Sequence, residues 1–173
     1  MNPSFFVAST LPSMQPPGHR CYAYTRCGAT TAPSEASLYE MRERPYCPIG
    51  ELLGMRVVSV ERDQAVVELD ATPAHASPLG TLHGGVFCDI ADYAMGMAWL
   101  SGVRDGETFT TIELKINFFR PFRTGKLTAE AEVIRRGRTI GYVECDVKDA
   151  AGKLLARSSS TCMTLRGEQA IGR

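Results

Sequence analysis

Residues 77–99 read SPLGTLHGGVFCDIADYAMGMAW. From Val86 to Trp99 the only charged side chains are Asp89 and Asp92. This predicts a long helix that is apolar nearly all round and is wrapped by other elements rather than laid on a surface. Its polar sector is narrow. Gly85, Asp89, Asp92 and Gly96 recur at helical spacing, so both acids share a stripe with two glycines whose missing side chains leave room for a ligand or a second subunit. A carboxylate in the first half of a helix gains about 0.3–1 kcal/mol from the positive end of the dipole. For Asp89 this structural explanation is preferred.

The flanking sequence supplies the wrapping. MRVVSVER and AVVELD, from Met55 to Asp70, alternate about a turn expected at Asp63-Gln64 and predict an antiparallel hairpin. A Pro-containing loop over 71–82 leads into the helix, which the turn-like Ser101-Gly102 closes. Four long β-forming segments follow: TFTTIELKINFFR, GKLTAEAEVIRRG, RTIGYVECDVKD and GKLLARSSSTCMTL. They are separated by residues 121–125, Gly137 and residues 149–152. Leu127, Ala129, Ala131 and Val133 alternate with Thr128, Glu130 and Glu132, the pattern of a sheet with one dry face. Two strands, one apolar helix and four strands in one domain predict an α+β fold, an antiparallel sheet packed against the helix.

Upstream, residues 1–34 hold five of the ten prolines and no Asp, Glu or Lys. They are expected to be disordered or extended, with a faint likeness to an organelle transit peptide. Ser34 caps a predicted helix that ends before Pro45, and a short helical turn, PIGELLG, follows. The expected organisation is thus an N-terminal segment 1–34, a helical segment 35–54 and the main domain 55–166.

Nineteen basic and nineteen acidic residues give zero formal charge, so the composition implies neither nucleic-acid binding nor an acidic tail. The apolar stretches are too short for a membrane span. The six cysteines form no CxxC pair, which argues against zinc or a disulfide framework and for reduced thiols in a cytoplasmic protein.

At the helix entrance, Gly84 and Gly85 let the backbone approach a ligand closely, and first-turn amides have no intrahelical partner. An amide aimed at a carbonyl, with a carboxylate able to activate water or attack directly, is the equipment for acyl transfer or hydrolysis. His83 and Asp92 are half a turn out of phase if both are helical. They meet only if His83 lies in the loop or if two subunits share the site. His19 and His75 are expected to be surface residues.

The run GTLHGGVFCDIADYAMGMA, with TTIELKINFFRPF, RRGRT and the turn DAAGKLLA, resembles the hotdog-fold acyl-CoA thioesterases. It is most similar to the phenylacetyl-CoA and 4-hydroxybenzoyl-CoA thioesterase group carrying an HGG motif. The resemblance covers about residues 48–165. It implies a six-stranded antiparallel sheet curled round one central helix, and a homodimer as the minimal active unit, often paired into a homotetramer, with active sites at the subunit interface. It also implies hydrolysis of an aryl-acetyl, aromatic or medium-chain acyl-CoA without a separate cofactor.

By the same resemblance, the Gly84 amide, aided by His83, polarises the thioester carbonyl. Asp92 is the base or nucleophile, and Thr111 positions water. Ser77 stands where some relatives have a carbonyl-polarising Asn. Arg120, Arg135, Arg136 and Arg138 are candidates for the CoA phosphates. Gly85, Val86, Phe87, Tyr93 and Met97 are candidates for the substrate and acyl pocket, with core packing the competing role. A non-catalytic acyl-CoA-binding module and a hotdog hydratase or dehydratase are the alternatives, and retention of both His83 and Asp92 argues against the first.

Overall fold

A computed structural model of the chain describes residues 47–170. The expectations for residues 1–34, for the helix after Ser34 and for His19 fall outside the described residues. The first described element is α1, Pro48–Leu53, with proline in its first turn and Gly54 at φ 76° closing it, a left-handed position that glycine fills without strain.

Six strands follow in the expected order: β1 Met55–Glu61, β2 Gln64–Ala71, β3 Glu107–Phe118, β4 Gly125–Arg136, β5 Ile140–Asp149 and β6 Leu154–Arg166. They form one antiparallel sheet ordered β1-β2-β4-β5-β6-β3. The first hairpin turns one residue earlier than expected, at Arg62-Asp63: Glu61 pairs with Gln64, and Asp63 adopts φ 65°. Aspartate tolerates this conformation better than most side chains, so Gln64 is released into the strand.

The apolar segment forms α2, Gly84–Leu100. Its Ile90, Ala91, Ala94, Met95, Ala98 and Trp99 are fully enclosed. Leu127, Ala129 and Ala131 of β4 face it and are buried, while Glu130 and Glu132 point away, as the alternation predicts. The six-stranded sheet wrapped round one long helix is the hotdog architecture. No helix among the described residues is long and apolar enough to cross a membrane.

The C-terminal end of α2 is fixed by one arginine. Arg136 lies over the Trp99 ring at 4.0 Å, donates from Nη2 to the Trp99 carbonyl at 2.9 Å and pairs with Asp63 at 2.6 Å. It thereby satisfies a helix-end carbonyl and ties the β1–β2 turn to the helix. Gly141 of β5 lets the Trp99 ring lie directly on the strand backbone; a Cβ there would overlap both that ring and the Arg135 carbonyl. Gly141→Ala should cost about 1–3 kcal/mol through overpacking, read as a lowered urea midpoint.

Candidate active site

Loop hydrogen bonds set up the entrance of α2. Leu82 N–H donates to the Phe122 carbonyl at 2.7 Å, and His83 N–H to the His75 carbonyl at 2.9 Å. His83 is therefore held outside the helix as its N-cap, in extended backbone (φ −65°, ψ 136°). Its Nδ1 accepts the Gly85 N–H at 2.9 Å, and its carbonyl accepts the Val86 N–H. In the neutral ring the proton then sits on Nε2. The amide of Gly84 has no hydrogen-bond partner among the described residues.

Both glycines have steric reasons. A Cβ on Gly85 would stand 2.9 Å from the His83 ring nitrogen, and one on Gly84 3.3 Å from the Phe118 ring. His75 serves a different purpose, closing a capping box with Thr72.

Gly84 opens onto a groove of about 400 Å³ that also takes in Ser77, Phe87, Phe118 and Arg120. Ser77 is engaged within its own loop, accepting from the Leu79 N–H and bonding to the Thr81 hydroxyl, both at 3.3 Å. Phe87 meets Phe118 edge to face.

Two turns further along α2, Asp92 opens onto a separate cavity of about 270 Å³, shared with Thr111, Asp89, Gly96, Met97 and Phe109. The Thr111 hydroxyl donates to Asp92 Oδ1 at 3.2 Å. Asp92 is exposed as a residue in the single chain, yet partial burial of its carboxyl raises its pKa above the ordinary carboxylate value. Asp89 adds to that rise and the Thr111 hydrogen bond opposes it. Thr111 borders a β-bulge at Ile112, where the β3–β6 register slips between Thr111 and Glu113. Such bulges re-aim side chains beside functional sites.

The expected site is therefore split. Gly84 and Asp92 are eight residues apart on one helix, about 12 Å of rise. One carbonyl cannot be within about 3 Å of that amide and within reach of that carboxylate in the same chain.

A sequence profile described as the thioesterase superfamily matches residues 79–156. The 1,4-dihydroxy-2-naphthoyl-CoA hydrolase of Listeria monocytogenes is 33% identical over 111 residues, covering 64% of this chain and 90% of that relative. Acyl-coenzyme A thioesterase 13 of Homo sapiens is 28% identical over 107 residues, 61% of this chain and 76% of the relative. A solved thioesterase from Haemophilus influenzae aligns with a TM-score of 0.68 at 26% identity, covering 75% of this chain and 90% of that one. The chain belongs to the thioesterase superfamily.

Several candidate residues of this thioesterase have other occupations. Arg136 is not available for a phosphate, because its guanidinium is committed to Asp63, the helix end and Trp99. Val86 is core and lines neither cavity. The Gly85 amide is already used by His83. Arg138 lies with Gly102 and Arg104 in a cavity beyond the C-terminal end of α2, a helix length of about 25 Å from Gly84 within one chain.

Sequence reasoning missed Ile49 of α1 and Phe109 of β3 as cavity walls. Neither carries a local signal, since sheet curvature brings them together.

With Asp92 as the candidate base, the acid limb of thiol release is expected to report its surroundings. A base has to be ionised, so a raised pKa moves the loss of activity on acidification to higher pH than for an ordinary carboxylate. Removing the Thr111 hydrogen bond in Thr111→Val should move that limb further up, and Asp89→Asn should move it down. Profiles of kcat/KM against pH for the three proteins test both signs.

Proposed function

We propose that this thioesterase hydrolyses acyl-CoA esters of aryl-acetyl, aromatic or medium-chain acids at a site shared by two copies of the chain. The observation carrying the proposal is the Asp92–Thr111 hydrogen bond, set about 12 Å from an unpartnered helix-entrance amide. Its two relatives named as a CoA hydrolase and an acyl-CoA thioesterase support CoA as the thiol.

Among the described residues β3 is an edge strand, paired only with β6, and exposes Ile112 and Phe118 together with Glu113, Lys115 and Asn117. A long unpaired edge is a template for strand addition. Thr111 lies beside Asp92, and Phe118 beside Gly84. Two β3 edges pairing antiparallel about a centre near Leu114 and Lys115 set Thr111 of one copy opposite Phe118 of the other. Each carboxylate then meets the partner's amide, so a homodimer is the minimal active unit; a homotetramer of two such dimers is the proposed assembly.

In the proposed reaction the thioester carbonyl accepts the Gly84 N–H, with His83 holding the helix entrance. The Thr111 hydroxyl orients water, and Asp92 takes its proton as the oxygen adds to the carbonyl carbon. The developing oxyanion is held by the amide. Collapse breaks the C–S bond, and the proton on Asp92 is available to the departing thiolate. Direct attack by Asp92, giving a mixed anhydride that water then opens, uses the same groups. Ser77 and Arg120 line the groove beside Gly84 and are assigned to the CoA side, as is Arg138 reached across the assembly.

Asp92→Asn should lower kcat by roughly 10²- to 10⁴-fold, the range for loss of a positioned base, with acyl-CoA binding retained. Gly84→Pro removes the amide at the first helical position, where proline is accepted. Co-expressing the two inactive chains rebuilds one complete site per mixed dimer if the site is shared. Recovered thiol release in the mixture is the expected result; no recovery in a confirmed mixed dimer assigns both groups to one chain.

A further inference from the structure

The cavity beside Asp92 has a composition and a floor that go further than the reaction. Two carboxylates, Asp89 and Asp92, and the Thr111 hydroxyl stand on its wall, and Ile49, Met97 and Phe109 contribute apolar surface. No Lys, Arg or His lines it among the described residues.

Along α2, Asp92, Gly96 and Leu100 follow at one-turn intervals, and all three line the cavity. The row runs from a carboxylate past a stretch of bare backbone to an apolar stop over about 12 Å. Gly96 is that stretch, and the Phe109 ring comes down over it. A Cβ built on it would lie 3.4 Å from the tip of the Phe109 ring, in ordinary contact. A methyl group therefore fits without displacing anything, while a longer side chain would occupy the cavity itself.

Resting on the hydrolase reading above, we infer that this cavity is the acyl chamber, that it takes neutral apolar acyl groups and rejects those ending in a carboxylate, and that Gly96 over Phe109 sets its depth. A thioester carbonyl at Asp92 directs its acyl chain either to solvent or along the row towards Gly96. The apolar wall favours the second. A distal carboxylate on that chain would be desolvated, with no cation among the described lining residues to pair with, near two groups of its own sign. Helix propensity makes Gly96 informative, because glycine in a helix interior costs about 1 kcal/mol relative to alanine. The bare backbone under the Phe109 ring is kept against that preference.

The test is thiol release from butyryl-, hexanoyl-, octanoyl-, decanoyl- and phenylacetyl-CoA, with pentanoyl-CoA set against succinyl-CoA. Gly96→Ala should unfold at a higher temperature than the parent and lose about tenfold in kcat/KM on the longest ester accepted, as for one methylene in a closed pocket, with little change on butyryl-CoA. Phe109→Ala should extend the accepted length. Succinyl-CoA should be turned over at least about 100-fold more slowly than pentanoyl-CoA. A length profile unchanged in both variants, or succinyl-CoA handled as well as pentanoyl-CoA, overturns the inference.

Binding of S-alkyl-CoA thioethers of graded length, with and without a terminal carboxylate, reads the chamber without turnover. If no ester releases thiol but thioether binding still depends on length, charge and residue 96 in these directions, the chamber stands and the hydrolase reading falls. If thiol is released while thioether binding ignores all three, the chamber falls and the hydrolase reading stands.

Discussion

Enclosure of a seventeen-residue apolar helix by a single sheet is the constraint on which the rest of this protein depends. Residues such as Ile90, Ala94 and Trp99 have no surface left, and their removal from water is the main favourable contribution to the fold. The sheet has to curl to achieve this, and curling forces close approaches that few residues tolerate. Gly141 beneath Trp99 is one. The helix end is the other difficulty, since carbonyls there have lost their intrahelical partners inside a protein interior. Arg136 meets that need while resting its guanidinium on the indole, which is why an arginine in a neutral chain is structural here.

The enclosed helix also acts as a ruler. Its entrance presents an amide, a point two turns on presents a carboxylate, and the next turn presents bare backbone beneath the Phe109 ring. A helix is rigid at this length, so these spacings are set by its rise and do not adjust to a substrate. The amide and carboxylate of the proposed reaction are held apart in each chain, and in the proposed dimer the β3 edge, which pairs with β6 alone among the described residues, is where a second copy brings complementary halves together. Under that proposal catalysis and assembly are one requirement.

Asp92 illustrates what such a site costs the fold. Its raised pKa means that the ionised carboxylate is less favourable in the folded chain than in the unfolded one, so the group begins to oppose folding as pH rises through the ordinary carboxylate value and does so in full above its raised value. The Thr111 hydrogen bond reduces this penalty.

The strand count, the strand order along the chain and the buried helix were legible because each rests on local periodicity: alternation in Leu127 to Val133, and an apolar run interrupted only by Asp89 and Asp92. The resemblance carried by residues 80–98 separated Asp92 from Asp89, which helical phasing alone had grouped. The hairpin turn was misplaced by one residue, because whether Asp63 takes a left-handed conformation depends on the Ser101 hydroxyl that accepts its amide hydrogen and on Arg136 pairing with its carboxylate, both distant in sequence. For the same reason Arg136 read as a phosphate ligand and Val86 as a pocket residue, while Ile49 and Phe109 went unnoticed. By itself, then, the sequence determined the α+β fold and the buried helix, and the resemblance it carries singled out Asp92 as the candidate acid. Only the tertiary structure decided which arginine was already spoken for, which side chains bound the cavity beside Asp92, and that amide and acid open onto different cavities, because sheet curvature and helix rise set distances that no one-dimensional pattern contains.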